Sequence, residues 1–306
     1  MLDPIQMQIL KEVANLDSLP TGAVNIRVNG KAEVRNSTAH IDIIPKEDGS
    51  GIDIHIKPGT KNETVHIPVV LSKSGLTETV YNDFFVGDDC DVIIVAGCGI
   101  DNCGGQNSEH DGIHRFQVGK NCKVRYIEKH FGSGTGTGKR ILNPRTEVYL
   151  GENSTMEMEM TQIKGVDDTK RDTIAKLSAG SKLNVRERLM THDHQNALSK
   201  YHVDLDGDGS SSDIVSRGVA RDHSNQTLEL GISGNALSSG HTECDSIIMD
   251  DARILAIPSL EANNPDASLV HEAAIGRIAG DQLIKLMTLG LTEQEAEQEI
   301  IAGFLR

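Results

Sequence analysis

Tryptophan is absent from the 306 residues, and the aromatic residues together make up only 3%. A core without large rings must be filled by Val, Ile, Leu and Met, which suits many short stacked strands better than a bulky-cored barrel. Positive charge is also scarce, with 30 Lys and Arg against 45 Asp and Glu and a formal charge of −15. Such a surface repels phosphate backbones and anionic lipid, which argues against nucleic acid and membrane-surface partners. Long apolar runs are missing: the longest, around Val92 to Ile100, includes Cys98 and two glycines, too short and too interrupted to span a bilayer. The opening MLDPIQMQILKEVANL carries acids and no cationic segment leading into a long apolar one, so no secretory signal is read and the expected compartment is the cytoplasm. There are five cysteines, an odd number, at positions 90, 98, 103, 122 and 244. In a reducing compartment they point to thiol chemistry or simple burial rather than to a disulfide framework.

What is present is pattern. With 37% apolar residues and 30 glycines the chain can bury a core. Ile5, Ile9, Leu10 and Val13 form one helical stripe ending before Pro20, which predicts a short N-terminal helix. The apolar period then changes to two, and segments such as IDIIP, VHIPVVL, DVIIVAG, TMEMEM and KLNVRERL read as short strands separated by Gly, Asn, Asp and Ser turns. VGDDCDV, VGKNCKV and LGENSTM begin at Val86, Val118 and Leu150, 32 residues apart, and similar turns recur from Leu177, Leu205 and Met249. Recurrence without intervening helices predicts an all-β solenoid whose rungs stack in register. The units also resemble the hexapeptide repeats of left-handed β-helices, but the repeat here is not six, so the longer-runged right-handed parallel β-helix is preferred. From about Ala273 the helical period returns, with Gly290 as a C-cap and Thr292 with Glu295 as a capping box. The division expected is 1–21 helical segment, 22–275 β-helix core and 276–306 helical tail.

Several motifs invite chemistry. Cys98, Cys103, His110 and His114 sit in a glycine-rich stretch whose C-x4-C-x6-H-x3-H spacing loosely fits a metal knuckle. Cys90 and Cys122 fall at matching places of the repeat and are expected as stacked core residues, as are Met156, Met158 and Met160, which alternate with Glu157 and Glu159. GSGTGTGKR, residues 132–140, imitates a P-loop, but Ser133 occupies the first glycine position, Arg140 replaces the magnesium-holding hydroxyl, and Pro144 obstructs the helix. Any ATPase must therefore be a separate chain. DLDGDGSSSD begins like a calcium loop, yet Val215 stands where a bidentate Glu is needed. His192 and His194 alternate and could share a strand face, which permits metal binding, though an exposed or hydrogen-bonded pair is the simpler reading.

The most informative run is TECDS around Cys244, then NNP, HEA at His271–Ala273, DQL, and a Gly-Leu-Thr turn into an acidic helix. In that order and spacing it resembles the C-terminal part of the SufB/SufD family of iron–sulfur cluster assembly scaffolds. The likeness extends upstream to Asp204–Asp222, and Glu272 following His271 makes the chain more SufB-like than SufD-like. The resemblance implies a right-handed parallel β-helix, a transient iron–sulfur cluster near Cys244, Glu272 and His271, and a tail that docks a SufC-like ABC ATPase. Related chains continue with a further helix, so ending at Arg306 implies an abbreviated docking surface. It also implies a sulfur donor, apo-protein acceptors and a SufB/SufD-like paralogue. Since one chain carries both Cys244 and Glu272, a homodimer could replace that pair.

Cys244 and Glu272 are 28 residues apart, so adjacent rungs could bring thiolate and carboxylate toward one metal or sulfur species, the first a soft ligand and the second a labile hard one. His271 precedes Glu272 directly, and in a regular strand those two side chains point to opposite faces. On this reading the chain is a non-enzymatic scaffold. The other classes are a β-helix enzyme, either carbohydrate-acting or acyltransferase-like, and a purely structural solenoid. A hydrolase would need paired carboxylates in a groove. Turnover of a sugar without partner or ATP would mark the enzyme, and chelation-sensitive colour at a cysteine site the scaffold.

Overall fold

The structure, a computed structural model, describes residues 2–306. Along the chain run α1 (Pro4–Ala14), β1 (Ala23–Val28), β2 (Lys31–Asn36), β3 (Ile41–Pro45), β4 (Gly51–Ile56), β5 (Lys61–Leu71), β6 (Thr77–Val86), β7 (Asp91–Asp101), β8 (Ser108–Val118), β9 (Lys123–Ser133), β10 (Arg140–Leu142), β11 (Arg145–Leu150), β12 (Thr155–Lys164) and β13 (Asp168–Leu177). There follow β14 (Lys182–Thr191), β15 (Asn196–Leu205), β16 (Ser211–Ala220), β17 (Asn225–Gly234), β18 (Ser239–Ile248), β19 (Arg253–Ala262), β20 (Ser268–Gly276), α2 (Gly280–Thr288) and α3 (Glu293–Phe304). From β5 onward the chain alternates between two walls. One is ordered β2-β1-β5-β7-β9-β12-β14-β16-β18-β20, the other β19-β17-β15-β13-β10-β8-β6-β4-β3, with β11 also joining β13 and β8. The result is a parallel β-solenoid. Among the described strands the antiparallel pairs are β1 with β2 and β3 with β4, both at the N-terminal end.

The 32-residue sequence repeat is the rung itself. Asp91 lies opposite Lys123 and Lys123 opposite Thr155, each 32 residues on, whereas Thr155 meets Lys182 after 27. Its turn chemistry has a backbone cause: Asp89, Asn121 and Asn153 adopt left-handed φ of 59°, 56° and 57°, which Asn and Asp tolerate better than bulkier residues. The following Cys90, Cys122 and Ser154 point inward and are buried. Ser154 Oγ accepts from the Cys122 amide at 2.9 Å. Along each strand alternate residues enter the core, and Met156, Met158 and Met160 are fully enclosed there, as their alternation with glutamates predicts.

The two ends differ. At the N-terminus α1 is capped by Asp3 and Gln6 and buries Ile9, Leu10 and Val13 against the wall, leaving Ile5 of the predicted stripe exposed. Gly97 and Gly99 of β7 make room for it, since a Cβ there would stand 2.4 Å from the Val13 carbonyl oxygen and 2.1 Å from Ile9 Cγ2. At the other end β20 pairs with β18 and β19 with β17, and each has a free outer edge. Leu260 and Ile275 are exposed there, although they lie in register with the buried Ile232 and Ser246 of the rung below. The core is thus open at its C-terminal end. Gly290 and the Thr292–Glu295 capping box separate the helices as the sequence predicts. α3 lays Ile301, and Leu305 just beyond its end, on Val219 and Met249 along the solenoid flank, while α2 buries nothing.

The P-loop-like run has a packing explanation. No helix follows it, and β10 begins at Arg140. Its Gly134, Gly136 and Gly138 rest directly on the Asn102–Gln106 segment, where a Cβ would come within 2.3, 2.2 and 2.0 Å of backbone oxygens. No described helix is long and apolar enough to cross a membrane.

Candidate functional site

Cys244 and its neighbours stand on the last two rungs of one wall. β18 faces Thr242, Cys244 and Ser246 into the core and His241, Glu243 and Asp245 outward. β20 pairs with it so that Thr242 meets His271, Glu243 meets Glu272 and Cys244 meets Ala273. His271 therefore shares the inner face with Cys244, and Thr242 Oγ1 lies 2.7 Å from its Nδ1. Glu272 points out of the wall. The register is one residue away from the one that would bring Cys244 and Glu272 face to face, so within a single chain they occupy opposite sides of the sheet. His271 and Glu272 diverge, as adjacent strand residues must.

Cys244 is buried, and that burial, reinforced by the charges of Glu187, Asp245 and Glu243, pushes its thiol up to about 12. Partial burial, with the nearby His241, lowers the pKa of His271 and favours its neutral, ligand-competent imidazole. Behind Cys244 runs an enclosed polar row. Ser216 is its register partner on β16, and Ser216 Oγ donates to Glu187 Oε2 at 2.6 Å. Glu187 Oε1 also accepts from Ser199 Oγ at 2.7 Å and Tyr201 Oη at 3.0 Å. Arg171 Nε lies 3.5 Å from Glu187, and Arg171 Nη1 donates to Glu128 at 2.5 Å. Burial opposes charge on Glu128, but Arg171 and then His130 outweigh it and hold the carboxyl well below its ordinary range. Charges this deep are retained only because they are paired and hydrogen-bonded.

On the outer side, His241 Nδ1 is 2.7 Å from Asp213 Oδ1, and Asp213 is also bonded by Arg186. His241 Nε2 lies 3.8 Å from Glu272 Oε2. Glu243 is pushed up by partial burial and by Asp245 beside it. Arg186, Asp213, His241 and Glu243 border a cleft of about 470 Å³ that Arg188 and Arg217 also line.

The Cys98–His114 stretch is divided by the fold. Cys98 of β7 and His110 and His114 of β8 face the core, whereas Cys103 is exposed in the connecting loop. Burial disfavours charge on His110, but the adjacent Cys98 and Glu78 outweigh it and push the ring up to about 10. Burial holds His114 down at about 4. Its Nδ1 is 3.4 Å from Tyr126 Oη. His194 stacks on His223, and His192 bonds its neighbour Asp193 at 2.7 Å. In the DLDGDG turn, Asp206 and Asp208 accept from the Asn235 side chain and the Leu237 amide.

Sequence reasoning missed Glu187, Arg171, Glu128 and the outward group of Asp213, His241 and Glu243. The signal for the first was available. In KLNVRERL the inward parity set by Leu183, Val185 and Leu189 places Glu187 inside. For His241 and Glu243 the alternation through HTEC carried the same information, but not which strand lies alongside.

Comparison with known proteins adds the biological context. Residues 84–304 match the family model described as the SufBD core domain of the SUF system for FeS cluster assembly. An iron–sulfur cluster assembly SufBD family protein of Methanocaldococcus jannaschii is 29% identical over 266 residues, covering 85% of this chain and 82% of its own. A SufBD family protein of Methanothermobacter thermautotrophicus is 26% identical over 259 residues, 83% of this chain but 62% of the relative. The iron–sulfur cluster assembly protein SufB of Bacillus subtilis is 32% identical over 117 residues, 37% of this chain and 24% of that one.

Proposed function

The chain belongs to the SufB/SufD family, whose role is iron–sulfur cluster assembly, and on that premise we propose that it is a non-enzymatic, SufB-like scaffold on which a cluster is built at Cys244. The observation that carries this reading is a buried thiol one rung from the open end of the core, beside a neutral imidazole and at the end of an enclosed polar row. A thiolate is the soft ligand that iron–sulfur chemistry requires. The proton on Cys244 is tightly held, so arriving metal must displace it, and loading releases a proton. His271 supplies the second inner ligand. Glu272, on the outer side of the edge strand, offers a hard and labile ligand toward whatever adjoins that edge.

In this reading the chain works in the cytoplasm, forms a homodimer or a pair with a SufB/SufD-like paralogue, and places its tail against a SufC-like ABC ATPase. A separate donor brings sulfur, and apo-proteins receive the cluster. The free edges of β19 and β20 and the exposed Leu260 and Ile275 support pairing of two open ends. The exposed α2 supports the ATPase contact.

Anaerobic reconstitution with iron and sulfide, followed by absorption and Mössbauer spectra, tests the chemistry. Cys244→Ser is expected to abolish cluster retention, and Glu272→Ala to weaken it or alter the spectrum, with the fold intact in both. If Cys244→Ser keeps full iron and sulfide while Cys98→Ser loses them, the cluster site lies instead among the residues between 98 and 114.

A further inference from the structure

Outside the wall, directly behind Cys244, the side chains of His241, Glu243 and Glu272 converge so that one ligand atom from each lies within 4.8 Å of the others. The trio joins an imidazole to two carboxylates, and its members are fixed by the sheet. His241 and Glu243 are two apart on β18 and so share its outer face, and Glu272 is the register partner of Glu243 on β20. The imidazole is also oriented. Asp213, on the next strand inward, is bonded to His241 Nδ1 and is itself anchored by Arg186. With Nδ1–H donated to Asp213, the free lone pair is on Nε2, the atom turned toward Glu272. A carboxylate behind a histidine, fixing its tautomer and raising its basicity, is the arrangement that surrounds protein-bound metal ions.

We propose that His241, Glu243 and Glu272 hold a divalent transition-metal ion on the outer face of the solenoid, with Asp213 as the positioning residue. Around an ion with nitrogen and oxygen ligands at about 2.0–2.2 Å, neighbouring ligand atoms stand roughly 3 to 3.5 Å apart. The trio, with separations of up to 4.8 Å, needs to draw in by up to roughly 1.5 Å, and Glu272, largely exposed on an edge strand, can swing to do so. Three protein ligands leave further positions open toward the cleft, where Arg188 and Arg217 can meet an anionic chelate delivering the ion. One imidazole with two carboxylates suits ferrous iron, manganese or zinc better than the all-oxygen shell of magnesium or calcium. Resting on the scaffold reading above, the cargo is ferrous iron. Glu243 and Cys244 are consecutive, so the ion is held one strand's thickness from the inner thiol, next to the free edge of β20.

The test uses the full apo chain and ferrous iron alone, without sulfide, under anaerobic equilibrium dialysis, with cobalt(II) absorption as a second readout. One ion per chain is expected. His241→Gln and Glu243→Gln should each weaken binding at least about tenfold, and Asp213→Asn by about 10–100-fold. Cys244→Ser should bind as wild type, which separates this site from the cluster site, since that variant fails reconstitution only if the scaffold reading holds. These side chains face outward, and circular dichroism checks folding; should Asp213→Asn misfold, the His241 and Glu243 variants decide. Wild-type affinity in both of those, loss of the ion in Cys244→Ser, or no stoichiometric binding overturns the proposal and leaves the trio a polar surface cluster.

Discussion

Cys244 shows how a single residue's environment sets its chemistry. Burial and three neighbouring carboxylates disfavour the thiolate and push the thiol up to about 12. A thiol that holds its proton more tightly folded than unfolded adds stability below the unfolded value, near 8.5. That contribution is lost as pH climbs from there toward 12. At pH 8 in the absence of metal, the exposed Cys103 should therefore react with iodoacetamide at least about 100-fold faster than Cys244. Peptide mass spectrometry after timed alkylation measures the ratio, and comparable rates would contradict the buried, protonated thiol. At this scale the sequence was only partly legible. Cys244, His271 and Glu272 could be named from their motifs, but a shift of one position in strand pairing decides which of them meet. Strand alternation does not encode that shift, because it is set by how many residues β19 and its two flanking turns take between β18 and β20.

The elements were easier to read. Strands announced themselves by alternation and by the Asn, Asp or Gly at each left-handed turn, and α3 by its capping box. What the helical period could not tell is that α2 and α3 behave differently. α3 is anchored through Ile301, with Leu305 just past its end, whereas α2 presents Ile284, and Leu289 just past it, 60% and 77% exposed, to solvent. A replaced surface side chain usually changes stability by no more than about 0.5 kcal/mol. Ile284→Glu should therefore leave the urea midpoint unchanged, yet weaken co-purification with a SufC-like ATPase at least about tenfold if α2 is the docking element. Undiminished capture of the ATPase would remove α2 from that role. Removing residues 277–306 is the coarser version of the same experiment, complicated by the Val219 and Met249 surface it uncovers.

For the whole molecule, the low aromatic content favoured short stacked strands over a bulky-cored barrel, and the 32-residue recurrence from Val86, Val118 and Leu150 pointed to rungs. The exposed core at the C-terminal end was not legible, since which strands stand last is a property of the assembled walls. If two open ends pair, burying Leu260 and Ile275, then Leu260→Asp or Ile275→Asp should weaken self-association at least about tenfold by sedimentation equilibrium. A dimer of undiminished affinity in both variants would place the contact elsewhere. The open end has a further consequence. In a stacked array each rung is supported only by its nearest neighbours, so cooperative protection is greatest in the interior rungs and declines toward the terminal strands β19 and β20. The terminal rung frays first, with an opening free energy well below that of the whole chain. His271 and Glu272 thus ride on a terminal strand held from one side, while Cys244 sits on the last one of its wall held from both sides. If the cluster is built at Cys244 as proposed, such excursions give an ion or sulfide a route to the thiol without the rest of the solenoid unfolding.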